Sequence, residues 1–338
     1  MSELVGNGLF DLQVNGYAGV DFNDPALTAA GLDHALEAML AAGVTQCLPT
    51  LITGLPSELH ERFVALDRAV RESRLGRRMV PGYHLEGPFL NSEEGFRGCH
   101  PGQAMQDADP ALVANLQAAI ELPILLVTLA PERAGAIDLT SKLTEEGRVV
   151  SIGHSSAGYA EVAAATAAGL SMSTHLGNGL PQLMPKLNNS LMAQLASREL
   201  VACLIADGHH LTPEALKAVI NLKGADNCIL VTDAVSAAGA KPGPYTLAGM
   251  HVLRTQEGAV VQPGHEGLFG SALCLDDAIR NVCAWDIVAP PVAIAMASTR
   301  PRQALSRAFK KFNIPAPTCK VSWNDNLEPT VLELPAEI

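Results

Sequence analysis

The chain has 338 residues, 48% hydrophobic and 17% charged, with a formal net charge of −12 at neutral pH. Such a composition excludes a disordered chain, and the acidic balance excludes a broad basic surface for nucleic acid. The seven cysteines are scattered with no CxxC pair, no leader pattern opens "MSELVGNG", and no apolar run reaches membrane-spanning length. We therefore expect a cytoplasmic protein with reduced thiols, without membrane or nucleic-acid partners.

Taken in chain order, short apolar runs alternate with Ala-rich helical patterns. "LFDLQVNG" (9–16) reads as the first strand, a helix over 28–43 follows, and "TQCLPTLI" (45–52) is the second strand. After a helix over 57–73 come strands at 78–87, 123–131, 148–156, 170–178, 200–210 and 227–235. Helices are expected between them at 158–169 and at 212–224, where Thr212 caps and Pro213 takes the first position. Eight strands alternating with helices predict an α/β fold, a (β/α)8 TIM-type barrel. An open doubly wound sheet is the rival, weakened because no glycine-rich phosphate fingerprint follows the first strand. Residues 241–267 read as a hairpin excursion from the barrel top.

Polar residues sit at the predicted strand ends: Glu86 at the third, His154 at the fifth, His175 at the sixth and Asp233 at the eighth. In a barrel these ends converge on one face. One carboxylate and two imidazoles suit a divalent cation such as Zn2+ or Fe2+, and Asp233 nearby could move a proton. A lone histidine at a strand end is usually structural; the four residues together in this placement carry the reading. Arg97 and His100 lie in the loop after Glu86, Asp207, His209 and His210 at the end of strand seven, and Asn178 among glycines.

The chain resembles the N-acetylglucosamine-6-phosphate deacetylases of the amidohydrolase superfamily. The resemblance rests on "DLQVNGYAGVDFND" (11–24), "HLEGPFLN" (84–91), "GCHP" (98–101), "SIGHSSA" (151–157) and "STHLGNG" (173–179). "ADGHHLTPEAL" (206–216), "LVTDAVSAAG" (230–239) and "GSALCLDDAIRN" (270–281) complete it, in family order over nearly the whole barrel. It implies a metal-dependent amidohydrolase that removes acetate from an N-acetylated amino sugar phosphate and forms homodimers. By the resemblance Glu86, His154 and His175 are the metal ligands, and Asp233 is the general acid/base. His100 polarises the acetyl carbonyl, His210 contacts substrate, and Asn178 with Gly179 lines the sugar-phosphate site. Gln13 and Asn15 stand where other members carry His-x-His, which implies one metal ion per subunit, with the amides as its polar neighbours.

The chain departs from the family in three places. Lys186 falls where a phosphate-gripping arginine is usual, so the substrate is either phosphorylated or not, with Arg97 a further source of charge. The loop bearing His100 is longer than the shortest family loops. Only about eight residues precede the first barrel strand and the tail is short, so the small β-sandwich is expected to be absent or vestigial. The domain reading is a barrel over 1–312 and a C-terminal extension over 313–338. The alternatives are the same hydrolysis on an unphosphorylated N-acetyl sugar or another N-acyl compound, a non-catalytic sugar-binding barrel, and a sugar-phosphate isomerase.

Overall fold

A computed structural model describes residues 4–265, 267–315, 319–334 and 337; parts of the expected extension over 313–338 therefore lie outside the described residues. Eight parallel strands form one sheet in sequence order. They are β1 (Leu9–Val14), β2 (Val44–Ile52), β3 (Tyr83–Glu86), β4 (Ile124–Leu129), β5 (Val149–Ile152), β6 (Met172–Ser173), β7 (Val201–Ile205) and β8 (Cys228–Val231). Every residue of β1, β2, β3, β4, β5, β6 and β8 is buried. Helices cover the outside and side chains fill the inside, so the strands are buried on both faces rather than on alternate residues. The barrel closes between β8 and β1. There Asp233 N–H donates to Gln13 O at 2.9 Å and Asn15 N–H to Ala234 O at 2.7 Å. Asp11 of β1 reinforces the closure by accepting the Thr232 hydroxyl at 2.5 Å.

The helices start where the caps place them. Thr28 opens Ala29–Ala41 by accepting the Gly31 N–H, and Thr212 opens Pro213–Lys223 by accepting that of Ala215. Each satisfies an N–H group the first turn leaves without a partner. Among the described residues no helix is long and apolar enough to cross a membrane.

Besides a two-stranded ribbon of Gly16–Tyr17 with Val20–Asp21, two three-stranded sheets flank the barrel. Leu4–Asn7 pairs antiparallel with Lys320–Trp323, which pairs with Pro329–Val331, so both chain ends share one sheet. The hairpin expected over 241–267 is three-stranded, with Gly243–Leu247, Met250–Arg254 and Val260–Val261. Asp21 accepts the Ala248 N–H at 2.7 Å and His209 Nε2 bonds Glu257 O at 3.1 Å, tying the hairpin to the barrel top.

Beneath the strand ends the barrel interior is polar, where such a layer is ordinarily aliphatic. His84 bonds Thr50 at 3.2 Å and Thr128 at 2.8 Å, and Thr128, Thr174 and Ser151 continue the chain at 2.7 and 2.6 Å. Burial lowers the His84 pKa to about 4, so the ring is neutral.

Candidate active site

Glu86 is the last residue of β3. The other three strand-end residues are not in their strands: β5 stops at Ile152, β6 at Ser173 and β8 at Val231. His154, His175 and Asp233 then take left-handed backbone, with φ of +50°, +31° and +50°. A left-handed residue cannot continue a β-ladder, so the expected strand ends at 156, 178 and 235 are corrected inward. Strain of this kind in non-glycine residues persists only where the surroundings hold it, and it collects at functional sites.

Three acceptor atoms converge at the barrel mouth. Glu86 Oε1 lies 3.0 Å from His175 Nε2 and 3.5 Å from His154 Nε2, and the two imidazole nitrogens are 3.1 Å apart. His154 Nδ1 sits 2.7 Å from Phe96 O. A carbonyl only accepts, so Nδ1 carries a hydrogen and Nε2 is the nitrogen turned to the cluster. Burial opposes a charge on Glu86, yet hydrogen bonds with His154 and His175 hold its carboxyl well below the usual range. One carboxylate and two imidazole nitrogens, buried and convergent, could hold a divalent cation. Cys274, Asp276 and Asp277 also gather, but Arg280 already bridges both carboxylates there.

The amide pair meets the two carboxylates. Gln13 Nε2 donates to both oxygens of Glu86 at 3.1 Å and to Asp233 Oδ1 at 3.2 Å. Asn15 Nδ2 donates to the same Asp233 oxygen at 2.8 Å. Neutral N–H donors thus stand between two anions. Burial raises the Asp233 pKa, and the Glu86 charge adds to the rise.

The loop after β3 folds over the cluster. It carries Phe96 O to His154 and places His100, 2% exposed, edge-on to the His154 ring. His100 Nε2 lies 3.9 Å from Glu86 Oε2, and its Nδ1 is 2.9 Å from Thr53 Oγ1. Burial lowers the His100 pKa to about 3.

The remaining residues divide. His210 Nδ1 is held by Asp207 Oδ2 at 2.7 Å, and Asp207 also accepts the N–H groups of His209 and His210. Asn178 donates to His175 O at 3.0 Å. Gly179, at φ +61°, packs on the His154 ring so closely that a Cβ would stand 2.6 Å from Nδ1. Arg97 is half-buried and Lys186 exposed, and among the described residues neither side chain shows a hydrogen bond or ion pair to the cluster. Residue types alone did not mark Thr53 or Asp11, because a threonine at a strand end or an aspartate in a strand is common. Only the fold shows what they touch.

No protein-family model matches the chain. It is 34% identical over 306 residues to an N-acetylgalactosamine-6-phosphate deacetylase of Escherichia coli O157:H7, covering 90% of this chain and 78% of that protein. It is 31% identical over 298 residues to an N-acetylglucosamine-6-phosphate deacetylase of Vibrio furnissii, covering 88% and 73%. Its structure matches a mutant N-acetyl-D-glucosamine-6-phosphate deacetylase of Mycobacterium smegmatis in complex with N-acetyl-D-glucosamine-6-phosphate. That match has a TM-score of 0.87 at 26% identity, over 98% of this chain and 86% of that one.

Proposed function

Because the chain belongs to the N-acetylglucosamine-6-phosphate deacetylase family of the amidohydrolase superfamily, we propose that it removes acetate from an N-acetylated amino sugar 6-phosphate with Asp233 as general acid/base. The observation that carries this reading is the buried convergence of Glu86, His154 and His175 beside Asp233. A divalent cation on those three residues, Zn2+ by first choice and Fe2+ by second, supplies the Lewis acidity that makes water nucleophilic at neutral pH. Asp233 takes the proton of the attacking water and returns it to the leaving amine. Gln13 and Asn15 aim that carboxylate through their N–H groups. His100 donates from Nε2 to the acetyl oxygen as negative charge grows there. His210, Asn178 and Gly179 line the sugar side, and Arg97 and Lys186 provide positive charge for a phosphoryl group.

One ion per subunit suffices in this reading, because Gln13 already donates to both carboxylates. We read the sheet of both chain ends as a remnant of the family's small β domain. A homodimer fits the exposed Leu183 and Leu187, and a cytoplasmic location fits the free cysteines. Hydrolysis of an unphosphorylated N-acyl sugar is the second reading, favoured by the exposed lysine in place of a phosphate-gripping arginine. The test is to strip the protein with chelator, reload it with Zn2+ or Fe2+, count ions and follow acetate release. Activity restored at one ion per chain is expected. A requirement for two tightly held ions would overturn the single-metal reading.

A further inference from the structure

We infer that Thr53 is a positioning residue that fixes the tautomer of His100, so that the ring presents Nε2–H to the acyl oxygen. This inference rests on the proposed deacetylase reading and deepens the part of His100. A neutral imidazole carries one N–H, and only one of its two tautomers can donate from Nε2. Thr53 immediately follows β2 and is 1% exposed, so its hydroxyl is shielded from bulk solvent. Its single hydrogen has two acceptors within reach, His100 Nδ1 at 2.9 Å and the Glu86 carbonyl oxygen at 3.3 Å.

If the hydroxyl donates to Nδ1, the shorter bond is made and the ring hydrogen sits on Nε2. That atom then faces the ionised Glu86 carboxylate 3.9 Å away, with favourable sign. If the hydroxyl donates to the carbonyl, Nδ1 must carry the hydrogen, and Nε2 turns a lone pair toward the same carboxylate. Both considerations select the first arrangement.

Gly87 leaves the room the hydroxyl occupies. A Cβ there would stand 2.1 Å from Thr53 Oγ1, and the residue has φ +86°, so the contact is open only to glycine. The ring is held on its other side by its edge contact with His154, with centroids 4.4 Å apart. Thr53 therefore sets which nitrogen carries the hydrogen, and packing sets where the ring points.

The test compares wild type, Thr53→Val and Thr53→Ser, each metal-loaded. Nitrogen NMR of histidine-labelled protein, with His100 assigned through His100→Gln, is expected to show the hydrogen on Nε2 in wild type and Thr53→Ser. Thr53→Val should shift it toward Nδ1. A hydrogen on Nδ1 in wild type would overturn the inference, even if no substrate is turned over and even if Thr53→Val does not fold. In kinetics, Thr53→Val should lower kcat by about 10–100-fold, short of losing an oxyanion donor outright. KM should stay within about twofold, Thr53→Ser should recover most of the loss, and a trifluoroacetyl substrate, already electrophilic, should lose less. Equal losses in the serine and valine variants, or a loss confined to KM, would contradict it.

Discussion

Around Glu86 the polar groups are buried and answer one another, whereas most of the segment 182–188 is exposed. Glu86, His100, His154 and His175 are 2%, 2%, 6% and 3% exposed, and each meets another of the four. Leu183 is 91% and Leu187 64% exposed, and Lys186 lies between them at the surface. In the proposed reading the difference separates chemistry from recognition. Groups that activate water and polarise an amide must be set before substrate arrives, and burial among fixed partners does that. Groups that hold the sugar can be ordered by what they bind. A preformed reaction centre can therefore survive changes in the segment that selects the substrate.

The sharpest way to break this division is at Asp233. Asp233→Asn should lower kcat for acetate release by about 10²–10⁴-fold with the fold and metal content intact. A variant that keeps near-normal turnover would remove Asp233 from the chemistry. Gly179→Ala probes the seam between the halves, because its Cβ would press on His154. Metal affinity, measured against a competing chelator, should fall by about 10–100-fold, as when a ligand's supporting contact is lost. If only KM changed, Gly179 would belong to recognition alone.

Asp11 sharpens the account of the buried half. Burial raises its pKa from 3.8 to about 7. Between those values the folded protein keeps a proton the unfolded chain has released, so unfolding releases it and stability falls as pH rises through that window. The folded-to-unfolded ratio should drop by up to about tenfold per pH unit there, and Asp11→Asn should flatten the slope in denaturant titrations. An unchanged slope would mean that Asp11 is ionised in the fold. The smallest effect is expected at Lys186. Lys186→Ala should raise KM for a phosphorylated substrate about two- to fivefold and leave kcat alone, since an exposed charge contributes little. A large fall in kcat would place this open segment in the reaction centre.

The barrel was legible from sequence because short, mostly apolar strands alternate with helical patterns, and because Thr28 and Thr212 cap in the ordinary way. Glu86, His154, His175 and Asp233 were legible by order and placement. Their backbone was not: nothing in residue type shows that His154, His175 and Asp233 leave the ladder in left-handed conformation. The pairing of Leu4–Asn7 with Lys320–Trp323 was equally hidden, since it joins short segments from opposite chain ends. Gln13 and Asn15 could be seen to share a place, but that both donate to carboxylates follows only from the folded arrangement of β1, β3 and the turn after β8. Thr53 and the polar layer around His84 depend on contacts between segments distant in sequence, which no local pattern records.

The most direct test measures acetate release by metal-loaded protein from N-acetylglucosamine-6-phosphate, with unphosphorylated N-acetylglucosamine alongside. The account predicts turnover of the phosphorylated sugar, abolished by chelation and in Asp233→Asn. No acetate from either sugar, by protein shown to hold its metal, would contradict it.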